Sequence, residues 1–245
     1  MKFFFYFGEY LVLLGNTFSK PEQGKIYFRR IVDEAQAIGV ESLGIVAIIS
    51  VFIGAVTTIN AAYQLVSSWL PDTVIGEVVS ESTILELSPT ITCLVLAGKI
   101  GSNIATELGT MRVNEQIDAM EVMGVNSAGY LILPKIIAAI VMIPALIIIA
   151  MFLSLLGGYL VGKYKGIVAP EHFISGTREA FKVYTFVFAL IKTFTFAFLI
   201  ASVSSYQGYY SEGGSIEVGR ASTRAVVYSC VLILLFDLLL AQLFL

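Results

Sequence analysis

The chain has 245 residues, of which 57% are hydrophobic and only 13% are charged, and its formal net charge is −3. Soluble domains average about 45–50% apolar and about 25% charged residues, so this composition indicates an integral membrane protein. The acidic balance and the lack of a basic cluster argue against nucleic-acid binding. With a single histidine, His172, and two cysteines in apolar runs, Cys93 and Cys230, we expect neither a metal site nor a disulfide.

Residues 1–38 are predicted to form an N-terminal interfacial segment, followed by a transmembrane domain over residues 39–245. The start, MKFFFYFGEYLVLLGNTF, shares with signal peptides a lysine before an apolar run. However, Glu9 interrupts the run and no small-residue cleavage pattern follows. Aromatic residues crowd one end, which is typical of a helix that lies in the head-group plane. An interfacial helix is therefore the preferred interpretation, and a signal peptide is the alternative.

Five segments have the roughly 20 apolar residues that a helix needs to cross a bilayer. They are residues 40–70, 78–105, 131–161, 184–205 and 225–245. The second is the weakest, because Glu86, Pro89 and Lys99 interrupt it and must face protein or water. The sequence thus predicts an all-α integral membrane protein with an interfacial helix and five transmembrane helices.

The connections between these spans set the predicted orientation. Lysine and arginine are more numerous on the side that carries the N-terminus, although the mixed loop at 162–183, which holds a solvated His172, carries several on the other side. The N-terminus is therefore predicted to be cytoplasmic and the C-terminus to be on the opposite side. Gly213-Gly214 predicts a turn within the last connection, residues 206–224.

The string GSNIATELGTMRVNEQIDAMEVMGVN, residues 101–126, lies between the second and third spans. It holds two apolar sets at helical spacing: Ile104, Leu108 and Met111, then Val113, Ile117 and Met120. Glu115, Asp118 and Glu121 occupy the other side, and Gly124 fits a left-handed C-terminal cap. We predict one amphipathic cytoplasmic helix over 107–123. Its acidic face suits a basic protein partner better than anionic lipid, and a solvated helix without a partner is the alternative.

Four charged residues are predicted to lie within the spans: Glu86, Lys99, Lys192 and Asp237. A charge at the bilayer centre costs at least about 2.5–3.5 kcal/mol, so such residues should be paired or should face water. Lys99 is expected near the interface, where its side chain can reach water. For the others, two interpretations stay open: structural salt bridges between Lys192 and Asp237 or Glu86, or a polar site beside a lipid cavity.

Two strings resemble the signatures of one family. LAGKIGSNIATELGTMRVNEQIDAMEVMGV and YQGYYSEGGSIEVGRASTRAVV are similar to the motifs of MlaE (YrbE) proteins, the permease subunits of MCE-associated ABC transporters. The resemblance covers roughly residues 29–245. The chain departs from it at LELSP, where the family has RELGP, so that Leu85 replaces an arginine, and Lys99 also replaces an arginine. Lys192 and Asp237 match family positions.

The resemblance implies a homodimer bound to two ABC ATPase subunits, which moves phospholipid between the bacterial inner membrane and a periplasmic MCE-domain protein. It implies that the stretch 107–123 is a coupling helix that docks into the ATPase. The residues expected to do so are Glu107, Gly109, Thr110, Arg112, Glu115, Gln116, Asp118 and, from the acidic face, Glu121. The C-terminus would be periplasmic. The intramembrane residues Glu86, Lys99, Lys192 and Asp237 would lie on the lipid pathway.

The chain contains no G-x-x-x-x-G-K-[ST] loop, and the nearest string, GGYLVGKY, lacks the spacing and the hydroxyl. We therefore expect no catalytic residues and no cofactor on this chain, with ATP and Mg²⁺ on the partner ATPase. Two other functions stay open: an ion-coupled secondary transporter using Glu86, Lys192 and Asp237, and a membrane scaffold without transport. The lack of an internal repeat argues against the first of these.

Overall fold

The computed structural model describes residues 2–19, 24–64 and 71–244, and over these ranges the chain forms helices and no strands. Five helical stretches are long and apolar enough to cross a membrane: Tyr27–Gln64, Thr73–Val113, Ser127–Tyr164, Val183–Tyr209 and Ser215–Phe244. The predicted all-α fold with five spans is confirmed. The first span begins before residue 40 because a short 3₁₀ turn, Val40–Ser42, carries the helix through from the preceding element.

The helices in the first half of the chain are α1 (Lys2–Phe18), α2 (Gly24–Ile38), α3 (Leu43–Gln64), α4 (Thr73–Ser82), α5 (Thr92–Leu96), α6 (Ser102–Val113) and α7 (Gln116–Val122). Those in the second half are α8 (Ser127–Tyr164), α9 (Pro170–Ala180), α10 (Val183–Tyr209) and α11 (Ser215–Phe244). The second span is not a regular α-helix, because two π-helical segments, Thr83–Ile91 and Ala97–Gly101, flank α5.

Packing divides the chain into two compact units. The first comprises Met1–Glu41, Leu94–Met142 and Thr195–Phe236, and the second comprises Ser42–Cys93, Ile143–Phe194 and Asp237–Leu245. The predicted boundary at residue 38 separates an interfacial from a membrane-embedded region. It stays a prediction, because packing does not distinguish these environments.

In the first unit, polar contacts attach α1 to the rest of the unit. The Tyr10 hydroxyl donates to Ser202 at 2.8 Å, and the Tyr206 hydroxyl donates to Glu9 at 2.8 Å. The Asn126 amide donates to the carbonyl oxygens of Asn16 and Ser19, at 2.9 and 2.6 Å. The remaining surface of α1 exposes large apolar side chains: Phe4, Phe5, Tyr6, Phe7, Leu11, Val12 and Phe18. This surface suits the predicted position at the membrane interface.

In the second unit, α3 and α8 approach each other at backbone distance. A Cβ atom at Gly54 would overlap the backbone of Ser154, and one at Gly157 would overlap the backbone of Val51. Ala61 on the same face of α3 belongs to a buried cluster with Val79 and Phe173. Gly54 and Ala61 therefore pack within the subunit.

We expect Gly54→Ala to destabilise the protein by about 1–3 kcal/mol, because the added methyl group forces α3 away from α8. Gly44→Ala, in the same helix with no atom within 4 Å of its Cβ position, is the matched control. It should be neutral or stabilising by about 0.5–1 kcal/mol. Thermal unfolding in detergent measures both, and equal stabilities of the two variants would contradict the close packing.

Two connections differ from the prediction. The loop at 162–183 contains α9, which starts with Pro170 at its first turn after an extended Ala169, and His172 lies exposed on this helix. Helix α9 forms because its buried Phe173 packs against α4 at Gly76. The last connection is shorter than 206–224, since α10 ends at Tyr209 and α11 begins at Ser215. The predicted turn is confirmed, with Gly213 at φ +112°.

Candidate functional site

The acidic stretch forms two helices, so the prediction of one helix over 107–123 is wrong. Helix α6 ends at Val113 and α7 starts at Gln116, with Asn114 at φ −85°, ψ 12° between them. Glu115 adopts a left-handed conformation at φ 57°, ψ 17°, which no α-helix accommodates. The two apolar sets noted in the sequence largely follow this break, because Ile117 and Met120 belong to α7 and the first set to α6.

An ion pair and a cap hold the bend in place. Arg112 on α6 bonds to Asp118 on α7 at 2.7 Å, across the two-residue break. At the end of α7, Gly124 has φ +79° and donates its N–H to the Glu121 carbonyl at 2.9 Å, which confirms the predicted glycine cap. We call residues 102–126 the candidate coupling segment.

The end of this segment is bonded to α8 and α10. The Glu121 carboxylate accepts hydrogen bonds from Ser127 at 3.0 Å and from Tyr209 at 2.9 Å. The Ser127 and Tyr209 hydroxyl oxygens lie 2.7 Å apart, and because they carry only two protons between them, two of these three contacts are full hydrogen bonds at any one time. Glu121 was predicted as a residue presented to a partner, but its charge is already engaged within the chain.

The start of the segment is likewise anchored. Gly109 is buried, and a Cβ there would meet Ser211 Oγ at 3.0 Å, so this glycine permits close packing. Glu107 bonds to Lys135 Nζ at 2.6 Å. Lys135 was missed as a site residue. Its sequence signal is a lysine next to a proline, Pro134, inside a strongly apolar run.

Six of the eight predicted docking residues are exposed: Glu107, Thr110, Glu115, Gln116, Asp118 and Glu121. Glu107 and Glu121 also bond within the chain, as described above. Two apolar side chains lie beside them and were not predicted, Val122 at 89% and Met123 at 71% exposure. Exposed apolar residues next to acidic ones are typical of a protein docking surface. The predicted roles of these residues stay predictions.

We expect Glu115→Gly to stabilise the protein by about 1 kcal/mol, because glycine adopts the left-handed conformation without strain. The neighbouring Gln116→Gly is the control and should destabilise α7 by about 1 kcal/mol. Thermal melts in detergent report the difference. A loss of stability in Glu115→Gly would contradict the left-handed backbone at this position.

In the second unit, three of the four predicted intramembrane charges meet. Lys192 is fully buried, and its ammonium pairs with Glu86 at 2.7 Å and with Asp237. Thr90 Oγ1 lies 3.3 Å from both Glu86 Oε1 and Asp237 Oδ2, although its single O–H can donate fully to only one of them. Both salt bridges considered from the sequence are therefore present. Lys99 belongs to the first unit and bonds to the Glu41 carbonyl instead.

Pro89 explains the irregular backbone around this triad. In an α-helix its ring would clash with the carbonyl group of Leu85, four residues earlier, and the wider π-helical turn over Thr83–Ile91 relieves the clash. Lys192 Nζ lies 3.5 Å from that Leu85 oxygen. The proline thus shapes the turn that carries Glu86, Thr90 and a carbonyl toward the lysine.

An open groove of about 910 Å³ lies beside the triad in the same unit. Its walls are mostly apolar and come from α3 and from the start of the second span: Ile48, Ile49, Phe52, Ile53, Val56, Val78, Leu85, Leu87 and Ile91. Polar side chains in the lining include Asn60, Gln64 and Glu86. The Glu86 side chain is 45% exposed, so it is the triad member that faces the groove.

Within the described ranges, no three His, Cys, Asp or Glu side chains are grouped so that they could hold a metal ion. Both cysteines are free, and Cys93 is fully buried among the helices of the second unit.

Comparison with known proteins decides the family. The model of the family "Permease MlaE" matches residues 31–243. The chain belongs to the MlaE permease family. The resemblance predicted from the two motifs is therefore confirmed, and this permease is a multi-pass membrane protein and a permease of the ABC transporter class.

Individual relatives align over most of this chain. The permease is 39% identical over 219 residues to a "Probable ABC transporter permease protein" of Rickettsia bellii, covering 89% of this chain and 84% of the relative. It is 31% identical over 233 residues to "Protein TRIGALACTOSYLDIACYLGLYCEROL 1, chloroplastic" of Arabidopsis thaliana, covering 95% and 66%. It is 29% identical over 230 residues to the "Intermembrane phospholipid transport system permease protein MlaE" of Haemophilus influenzae, covering 94% and 87%.

Proposed function

We propose that this permease moves phospholipids between the bacterial inner membrane and a periplasmic MCE-domain protein. The groove of about 910 Å³ carries the proposal, because its apolar walls suit acyl chains. Glu86 gives one part of the groove a charged wall, and buried Lys192 holds that carboxylate in place. A lipid head group entering the groove would meet this polar wall while its chains contact α3. The Haemophilus influenzae relative is named as a phospholipid transport permease, which supports phospholipid as the substrate class.

The energy for transport is proposed to come from other chains. A homodimer of the permease would bind two ABC ATPase subunits, which hold ATP and Mg²⁺, while this chain carries out no catalysis. The exposed residues Thr110, Glu115 and Gln116, with Val122 and Met123, would form the ATPase contact. In the predicted orientation, with a cytoplasmic N-terminus and a periplasmic C-terminus, this surface faces the ATPase. Closure of the ATPases would move the candidate coupling segment and reshape the groove.

Mass spectrometry of lipids that co-purify with the permease–ATPase complex tests this proposal. Phospholipid should be present, and transfer of fluorescent phospholipid between proteoliposomes should require ATP. Val56→Trp fills the groove and should remove both signals. Val231→Trp, at a similarly exposed valine outside the groove lining, should retain them. Phospholipid bound equally by the two variants would argue against the groove as the lipid site.

One observation favours a second candidate, an ion-coupled transporter: Glu86, Lys192 and Asp237 form a titratable cluster inside the spans. Such a transporter would work with an ion gradient and no nucleotide. Transfer driven by a proton gradient in liposomes that lack ATPase would support it over the ABC mechanism. A scaffold without transport would show neither bound phospholipid nor transfer.

A further inference from the structure

Lys135 is a buried cation held by carboxylates from two other helices. Its side chain is 1% exposed, and Nζ lies 2.5 Å from Glu34 Oε1 on α2 and 2.6 Å from Glu107 Oε2 on α6. One ammonium group therefore joins α2, α6 and α8. The groove and its triad do not use this cluster, and all three residues belong to the first unit.

The cluster is one of the attachments of the candidate coupling segment to α8. Glu107 is bonded near the start of the segment, and Glu121 near its end is bonded to Ser127, the first residue of α8. Residues 127 and 135 lie about 12 Å apart along a helix axis. Any rigid movement of the segment must therefore pull on α8 at two separate points.

Packing alone does not require this arrangement. An apolar side chain at position 135 would fill the same buried volume without the cost of desolvating a charge. Charge-assisted hydrogen bonds are directional, so they fix Glu34 and Glu107 relative to one atom in a way that apolar contacts do not. The cluster therefore suits a joint that must transmit displacement.

We propose that Lys135 is the positioning residue that transmits movement of the candidate coupling segment to α8 and α2. This inference rests on the proposed function, because a bound ATPase supplies the movement. Helix α8 continues to Tyr164 and carries Ser154, which packs on Gly54 of α3, and α3 forms one wall of the groove. Lys135 and Ser154 thus belong to one continuous helix, Ser127–Tyr164.

The test uses the permease–ATPase complex in lipid nanodiscs, with Cys93 and Cys230 replaced by alanine. A fluorophore on a cysteine at Thr106, an exposed position of the segment outside the proposed ATPase contact, reports movement of the segment. A fluorophore at Val141, an exposed position on α8, reports whether that movement reaches α8. ATP should change both signals in the unsubstituted chain. With Lys135→Met the Thr106 response should persist, and the Val141 response should fall at least about fivefold. Lys135→Arg should restore it, and Lys163→Met, an exposed lysine on the same helix, should leave it unchanged.

An undiminished Val141 response in Lys135→Met overturns this inference and leaves the proposed function standing. No response at Thr106 in the chain that keeps Lys135 overturns the proposed function, and this inference with it. If Lys135→Met does not assemble, Glu107→Gln provides the test, because Lys135 then keeps Glu34 as its partner. Its Val141 response should fall at least about twofold, and an unchanged response again overturns the inference.

Discussion

Lys192→Met is expected to destabilise the permease by about 3–5 kcal/mol, because it leaves Glu86 and Asp237 as unpaired carboxylates inside the spans. Lys192 is fully buried and Asp237 is only 12% exposed, so water can solvate the unpaired Asp237 carboxylate only weakly. Unfolding titrations in mixed detergent micelles measure the loss. Lys182→Met is the matched control, because this lysine is 68% exposed and its ion pair with Glu81 is long, at 3.9 Å. It should change stability by less than about 1 kcal/mol.

A triple variant separates the structural from the functional interpretation of this triad. Lys192→Met, Glu86→Gln and Asp237→Leu together remove all three charges, and apolar replacement of a buried ion cluster is often neutral for stability. We expect stability to recover in the triple variant. Phospholipid transfer should be lost, because position 86 no longer presents a charge to the groove. Full transfer by a stable triple variant would show that the triad only supports the fold.

Glu115→Lys with Asp118→Lys is expected to weaken ATPase capture roughly 100-fold, because like charges placed in an interface cost several kcal/mol. This outcome requires that the partner surface is basic, as the exposed acidic residues indicate. Pull-down of the ATPase by detergent-solubilised permease measures it. Because Asp118 also bonds to Arg112, Glu115→Lys alone should be included, and it should lower capture without loss of the Arg112–Asp118 pair.

The control for charge is Glu171→Lys with Glu179→Lys on α9, which alters two exposed glutamates elsewhere. This pair should leave ATPase capture unchanged. Equal capture by all variants would remove the docking role of residues 110–123 and favour the alternative of a solvated segment without a partner.

The break between α6 and α7 shows what hydrophobic periodicity can and cannot predict about helices. The two apolar sets were visible in the sequence, but they were predicted to lie on one helix, because Asn114 and Glu115 are not strong helix breakers. The left-handed Glu115 is stabilised by tertiary contacts, namely the Arg112–Asp118 pair and the bonds from Glu121 to Ser127 and Tyr209. These partners are remote in sequence or depend on the bend itself, so no local pattern predicts them.

The sequence alone predicts the membrane class, the five spans, the glycine cap at Gly124 and the family, because hydropathy, turn chemistry and long motifs are local properties. It also identified Glu86, Lys192 and Asp237 as charges needing partners, since an apolar setting makes an isolated charge costly. The folded structure was needed to show that these three meet, that Lys99 bonds elsewhere, and that Lys135 binds Glu34 and Glu107. The physical reason is that an ion pair depends on which helices lie side by side, and that is set by packing across the whole chain.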